Sequence, residues 1–200
     1  MASGSNSGTQ VISMEGPGSQ GSCLEPQKLR LRVCDSEWSS LDFDLTRLQS
    51  EPIKIKDVHR KEGRPQSLFE LVAVVTFLPQ PFSFSKLICF QPRYLMVNRT
   101  FHTLYVVQSQ CEELGTFKIF PQETSVFHWS DADKPLEVCV TLNDHEYSGE
   151  LRIDSIGEFC MRLKNKYEQD STILNVSISE ETNSFYIAFT DVSYAPPYRL

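Results

Sequence analysis

Apolar and polar residues alternate along most of the chain from Leu29 onward. Leu29, Leu31 and Val33 form one set at every second position, Leu41, Phe43 and Leu45 a second, and Ile53 and Ile55, separated by lysine, a third. Each reads as a half-buried strand, because side chains two apart share one face of a sheet. Leu68 to Phe77 and Phe82 to Phe90 are longer apolar segments, parted by Pro79 and Pro81, which mark a turn or a sheet edge. Thr116 to Phe120 and Val126 to Trp129 follow. The alternation then returns at Leu136, Val138, Val140 and Leu142, continues through Leu151 and Ile153, and recurs at Leu174, Val176 and Ile178 and at Phe185, Ile187 and Phe189. Phe159, Leu163 and Tyr167 fit one helix face as well as a strand, but Gly157 is a weak helix start, so the segment is read as a strand. Short strands at regular spacing, turn signals between them and no convincing helix predict an all-β fold of antiparallel β-sandwich-like units.

Gln91 to Gln108 is where one apolar run ends in Asn and another begins. Tyr94 to Val97 reads as a strand with apolar side chains on both faces, and Thr103 to Val107 as a second, rich in Thr, Tyr and Val. Asn98 lies in the connection. Its short amide suits that place because it can bond backbone groups two residues on and tolerates a left-handed conformation. Two stronger roles are open: a buried amide that closes the link between strands, or a direct ligand contact. They differ in whether mutation removes stability or only binding.

Composition narrows the class. At 200 residues, 40% hydrophobic and 22% charged, the chain is an ordinary globular one. Its longest apolar runs, such as Leu71 to Val75, are far too short to span a bilayer, and the N-terminus lacks the basic start and apolar centre of a signal peptide, so the expected address is cytoplasmic. Six cysteines, at positions 23, 34, 89, 111, 139 and 160, include no Cys-x-x-Cys pair; reduced, mostly buried thiols are expected rather than a zinc site or disulfide scaffold. Asn98-Arg-Thr100 and Asn175-Val-Ser177 match the glycosylation sequon, which matters only in a secreted chain. A formal charge of -7 argues against a general nucleic-acid binder, and the densest basic run, Lys54 to Arg64, is interrupted by Asp57 and Glu62. Met1 to Ser22 is rich in Gly and Ser, so residues 1–28 are expected to be a disordered tail or linker.

A repeat is visible inside the chain. Leu29 to Ser40 is echoed by Leu136 to Gly149, with Glu37-Trp38-Ser39 answering to Glu146-Tyr147-Ser148, and Tyr94 answers to Tyr198. The offset is about a hundred residues, the size of a small sandwich. Residues 29–91 are then the C-terminal half of one unit, and residues 92–200 a nearly complete second. The chain stops at Leu200, two residues before a second Asn would answer Asn98, and is expected to be a fragment of a longer array.

Pro92-Arg-Tyr-Leu-Met-Val-Asn98-Arg-Thr100, Leu104, Gln108, Phe127-His-Trp129, Tyr147-Ser-Gly149 and Ile156-Gly157 resemble the adaptor-binding repeats, also labelled SHR-binding, of the vacuolar protein sorting-associated 13 (chorein) family. The likeness covers Leu29 to Leu200. It implies an all-β hook that binds short proline-containing segments of organelle adaptors, within a long rod that carries lipids between membranes through an apolar groove. Asn98 corresponds to the Asn that the family carries in each repeat. Tyr147 departs from the family's frequent Trp, and the basic segment from Lys54 to Arg64 has no counterpart in the pattern.

Other chemistry weighs less. His128, Ser130, Asp131 and Asp133 crowd one loop, but triad members converge from separate elements and no Gly-x-Ser-x-Gly elbow is present, so no catalytic role is expected. Asp131 and Asp133 with Asp144 and Asp154 could ligate calcium between sandwich loops, which is the alternative reading of a calcium-dependent membrane-binding sandwich. Acidic turns on a solvated rim are the plainer account. Trp38 and Trp129 are core or edge-capping aromatics, or exposed interface anchors. No cofactor or metal is expected; the expected partners are organelle adaptor proteins, with membrane association indirect and no nucleic acid.

Overall fold

The computed structural model describes residues 12–15, 28–33, 38–44, 48–57, 63–167 and 169–195. It is built from strands: β1 (Ile12–Glu15), β2 (Lys28–Val33), β3 (Trp38–Ser39), β4 (Phe43–Asp44), β5 (Ser50–Asp57), β6 (Leu68–Phe77), β7 (Lys86–Pro92), β8 (Tyr94–Asn98), β9 (Leu104–Gln108), β10 (Phe117–Ile119), β11 (Thr124–Phe127), β12 (Val138–Leu142), β13 (Gly157–Lys164), β14 (Ser171–Glu181) and β15 (Ser184–Asp191). Among the described residues one 3-10 turn, Glu112–Leu114, interrupts them. The first sheet runs β1-β2-β3-β5-β6-β7, with β4 also on β2. A three-stranded sheet, β10-β9-β12, faces a five-stranded one, β11-β8-β15-β14-β13. All pairings are antiparallel except that of β8 with β15, which runs parallel from Tyr94 opposite Phe185 to Asn98 opposite Phe189.

The alternation of the sequence sets what is buried. Met96, Leu104, Val106, Val138, Val140, Leu174, Val176, Ile187 and Phe189 form the core between the two smaller sheets, and Leu68 of β6 joins them. Leu29, Leu31, Phe43, Ile53, Ile55 and Ala73 pack as a second cluster on the first sheet. Gly157 to Lys164 is a strand, as the weak helix start implied. Tyr167 falls beyond it and is exposed.

Three segments differ from the expectation. Leu41 is 85% exposed, and strand resumes only at Phe43, because Ser40 draws the chain inward. Its hydroxyl accepts from the Leu31 N–H at 3.0 Å and donates to the Leu41 carbonyl at 2.8 Å. In the Phe82 to Phe90 segment, β7 begins at Lys86 and the residues before it form the hairpin turn. Within the stretch expected to be a tail, Ile12–Glu15 pairs with Arg30 to Val33, since the edge of β2 offers a row of backbone partners.

The same serine clamp occurs twice, and it matches Ser148 with Ser40, one residue beyond the Ser39 that the sequence echo sets against it. Ser148 accepts from the Val140 N–H at 2.9 Å and donates to the Gly149 carbonyl at 2.7 Å, as Ser40 does with Leu31 and Leu41. The N–H of each serine bonds back to the same strand, at Leu31 and Val140, both at 2.8 Å. Tyr198 lies outside the described residues.

The first sheet is fastened to the rest through backbone and side chains together. Leu68 and Trp129 exchange two backbone bonds, at 2.9 and 3.1 Å, and Ala132 donates to Gln66 at 2.7 Å. The β14–β15 turn, with Thr182 and Asn183 at positive φ, docks on the first sheet: Asn183 Nδ2 donates to the carbonyl and hydroxyl of Ser50, both at 2.9 Å. Arg93 bonds the Asn183 carbonyl and lies over the Phe185 ring, 4.6 Å from its centroid.

Candidate functional site

Asn98 ends β8, and no part of its side chain reaches the surface. Nδ2 donates to the carbonyls of His102 at 2.9 Å, Ile119 at 3.0 Å and Phe120 at 3.1 Å; two protons serve three acceptors, so one is shared. Oδ1 accepts from the Thr100 N–H at 3.0 Å and the Thr100 hydroxyl at 2.8 Å. Thr100 Oγ1 accepts in turn from the His102 N–H at 3.1 Å. The Asn98 backbone N–H reaches Glu123 at 2.9 Å. One amide thus ties the β8–β9 connection to the β10–β11 connection. The nitrogen that a glycan at this sequon would need is enclosed and fully bonded.

The two connections held by Asn98 carry aromatic rings outward. Phe101 is 86% and Phe120 54% exposed, and Lys118 Nζ lies 5.4 Å from the Phe120 centroid. Val126, half exposed, projects from β11. β10 and β11 each end their sheet, so among the described residues the outer backbone edge of each has no partner strand, while between them Phe117 packs on Phe127 with centroids 4.8 Å apart. Beside the start of β10 and the end of β11 lies a cleft of about 300 Å3, with Pro65, Ser67, Thr116, Phe117, His128 and Ser130 on its walls.

The crowded loop is bonded into the fold. Asp131 Oδ1 accepts from the backbone N–H groups of Gln66 at 3.2 Å and Asp133 at 3.1 Å. His128 is stacked on Phe69, with centroids 4.2 Å apart, and meets Phe117 edge-on at 4.8 Å. Burial lowers its pKa from the ordinary value. A depressed histidine pKa favours the neutral ring in the fold, so its contribution is fully present above the unfolded value of about 6.5 and is lost as pH falls below it. His128→Phe should therefore lose less stability than wild type between about pH 7.5 and pH 5, read from urea midpoints. Equal slopes would show that the ring is solvated. Among the described residues no group of three or more His, Cys, Asp or Glu side chains is gathered so as to hold a metal ion. Asp154 instead pairs with Arg152 at 3.3 Å.

Trp129 is 1% exposed, so it is core rather than a surface anchor. Its indole meets Tyr94 and Phe127 edge-on at 5.5 and 5.0 Å, and Nε1 donates to Glu70 Oε2 at 3.3 Å. Glu70 also faces Lys54 at 3.4 Å, which places the start of the basic run in an ion pair. Burial first, and then the Glu70 carboxylate, raise the Tyr94 phenol above its ordinary pKa. Trp38 lies on β3, and its side chain is outside the described residues.

Gln108 is a second buried hub that pattern reading did not single out beyond the family likeness. Nε2 donates to the carbonyls of Asp131 at 2.8 Å and Pro135 at 3.0 Å, and Oε1 accepts from the Asp131 N–H at 3.0 Å. A Gln among buried apolar neighbours of β9 is the one signal that could have found it. Gln108→Leu keeps the volume but leaves these groups unpaired, and should cost about 1 to 3 kcal/mol in urea unfolding.

Comparison with known proteins bears on this arrangement. The family model for the Vacuolar-sorting associated protein 13 adaptor binding domain matches residues 19–200. The chain belongs to that family. It is also similar to the Intermembrane lipid transfer protein VPS13D of Homo sapiens, at 26% identity over 121 residues, which are 56% of this chain and 3% of the relative. The chain thus spans a small part of that relative's length. In this adaptor binding domain the Asn98 hub, the Trp129 core and the outer edges of β10 and β11 belong to the same pair of sheets. Among the described residues no helix is long and apolar enough to cross a membrane.

Proposed function

We propose that this domain holds a short, extended, proline-containing segment of an organelle adaptor along the outer edge of β11, and by that contact recruits an intermembrane lipid-transfer protein to organelle membranes and contact sites. The observation that carries the reading is the outer edge of β11, which has no partner strand among the described residues and carries exposed Val126, with exposed Phe120 before it and the cleft lined by His128 after it. An added strand takes affinity from backbone hydrogen bonds and selectivity from side-chain pockets. Proline suits such a ligand, because it stiffens an extended chain before binding. Asn98 organises the unit without touching the ligand. We further propose residues 29–91 and 92–200 as successive repeats, a reading supported by the twin clamps at Ser40 and Ser148. The parent is cytoplasmic and peripheral to membranes, and the domain has no catalytic role.

The test is calorimetric titration of adaptor-derived proline-containing peptides and their proline-to-alanine controls into wild type and Val126→Asp. At least about tenfold weaker binding is expected for the control peptides and for the variant, since a buried charge has no partner there. Equal binding of Val126→Asp would exclude the β11 edge.

A further inference from the structure

The β6–β7 hairpin ends in a tip that takes no part in either apolar cluster. Strand pairing closes at Phe77 opposite Lys86, and the chain beyond it projects. From Thr76 to Ser85 no residue is charged. Phe84 is 99% exposed, Phe82 64% and Phe77 54%, with Leu87 exposed beside them. Three aromatic rings and a leucine at one protruding end exceed the scattered apolar residues of an ordinary surface. The backbone of the tip is largely satisfied from within. Leu78 N–H donates to Ser85 at 3.0 Å, Phe82 N–H to Pro79 at 3.0 Å and Ser85 N–H to Phe82 at 2.8 Å, while Pro79 and Pro81 have no N–H to satisfy.

We propose that this tip enters the interfacial layer of a lipid bilayer. Three features select lipid over a protein partner. The tip runs beyond the last strand pair, and from Pro79 to Leu87 every residue but Ser83 is exposed, so its side chains stand out rather than line a groove. It is uncharged over ten consecutive residues, which matches an apolar phase and gives a protein surface no charge to complement. The N–H groups of Leu78, Phe82 and Ser85 are bonded and those of Pro79 and Pro81 absent, leaving only Gln80, Ser83 and Phe84 to find water or headgroup partners, which limits the cost of leaving water. Phe82 and Phe84 would sit among the acyl chains, with Thr76, Gln80, Ser83 and Ser85 at the level of the headgroups. Because attraction is apolar, the lipid need not be anionic. This contact is independent of the adaptor reading and would act beside it, orienting a domain that an adaptor has already brought to the membrane.

The experiment is co-sedimentation of the full chain with phosphatidylcholine vesicles at low and high salt, for wild type and the double variant Phe82→Ser, Phe84→Ser. Circular dichroism confirms that both are folded, since neither side chain supports the core. Wild type should bind equally at both salt concentrations, and the double variant at least about tenfold less, as expected for two phenyl groups withdrawn from an apolar phase. Phe84→Trp should be quenched by bromine-labelled lipid. Absence of vesicle binding, binding that requires anionic lipid and vanishes in salt, or undiminished binding of the double variant would each overturn the proposal. A wild-type dimer that the double variant turns to monomer, with no vesicle binding by either, would also overturn it and make the tip a contact between proteins.

Discussion

Trp129→Ala should destabilise the domain by about 3 to 5 kcal/mol, the range for removing a large aromatic from a closed core. The indole is enclosed by Tyr94 and Phe127, and its backbone pairs with Leu68, so the cavity opens where the first sheet meets the sandwich. Truncation also removes the indole N–H from the buried Glu70 carboxylate. Trp129→Phe separates the two effects, because it fills most of the space and loses only the donor. Urea unfolding followed by circular dichroism measures both. A loss below about 1 kcal/mol for the alanine variant would show that the site collapses freely or that Trp129 is not enclosed.

Asn98→Asp should be at least as damaging as Asn98→Ala. The alanine variant leaves the carbonyls of His102, Ile119 and Phe120 and the N–H of Thr100 without their bonds. At about 1 to 3 kcal/mol for each buried group left unpaired, partly recovered by relaxation, a net loss of about 3 kcal/mol is expected. Aspartate keeps an acceptor for Thr100 but directs a charge at three carbonyl oxygens that lose the amide donor, His102 and Phe120 keeping only the Thr100 hydroxyl and the Glu123 N–H. An exposed turn would tolerate the same change. The thermal midpoints of the two variants decide the matter, measured beside peptide binding. Unchanged midpoints with lost binding would move Asn98 to the ligand; unchanged midpoints and unchanged binding would remove it as the organiser of the unit.

Much of this was legible in the alternation of residues. Leu68–Phe77 appears at the bounds the apolar run implied, and Gly157–Lys164 is a strand because its apolar pattern lacks a helix start. Asn98 was legible as a connection residue able to bond a backbone group two residues on, as it does at Thr100, but its bonds to Ile119 and Phe120 were not, since these are brought to it by the return of β10 from the other sheet. Nothing local distinguishes Trp129 in the core from Trp129 at a surface; the pairing with Leu68 settles it, and that contact spans 61 residues. The parallel pairing of β8 with β15 was equally hidden, because two strands read alike whichever way they run. Leu41 misled for a simpler reason: the alternation held, but Ser40 spends its hydroxyl on Leu31 and turns the chain.

Amide hydrogen exchange tells the β11 edge from the other strand edges as the place where an adaptor peptide adds. In the free chain the outward amides of Thr124 to Phe127 have no partner strand on that side and should exchange fast. With a saturating proline-containing adaptor peptide, exchange there should slow by at least about tenfold, while the amides of β13 at the opposite edge stay as they were. Saturated binding that leaves β11 unprotected and protects β13 or β7 instead would contradict the account.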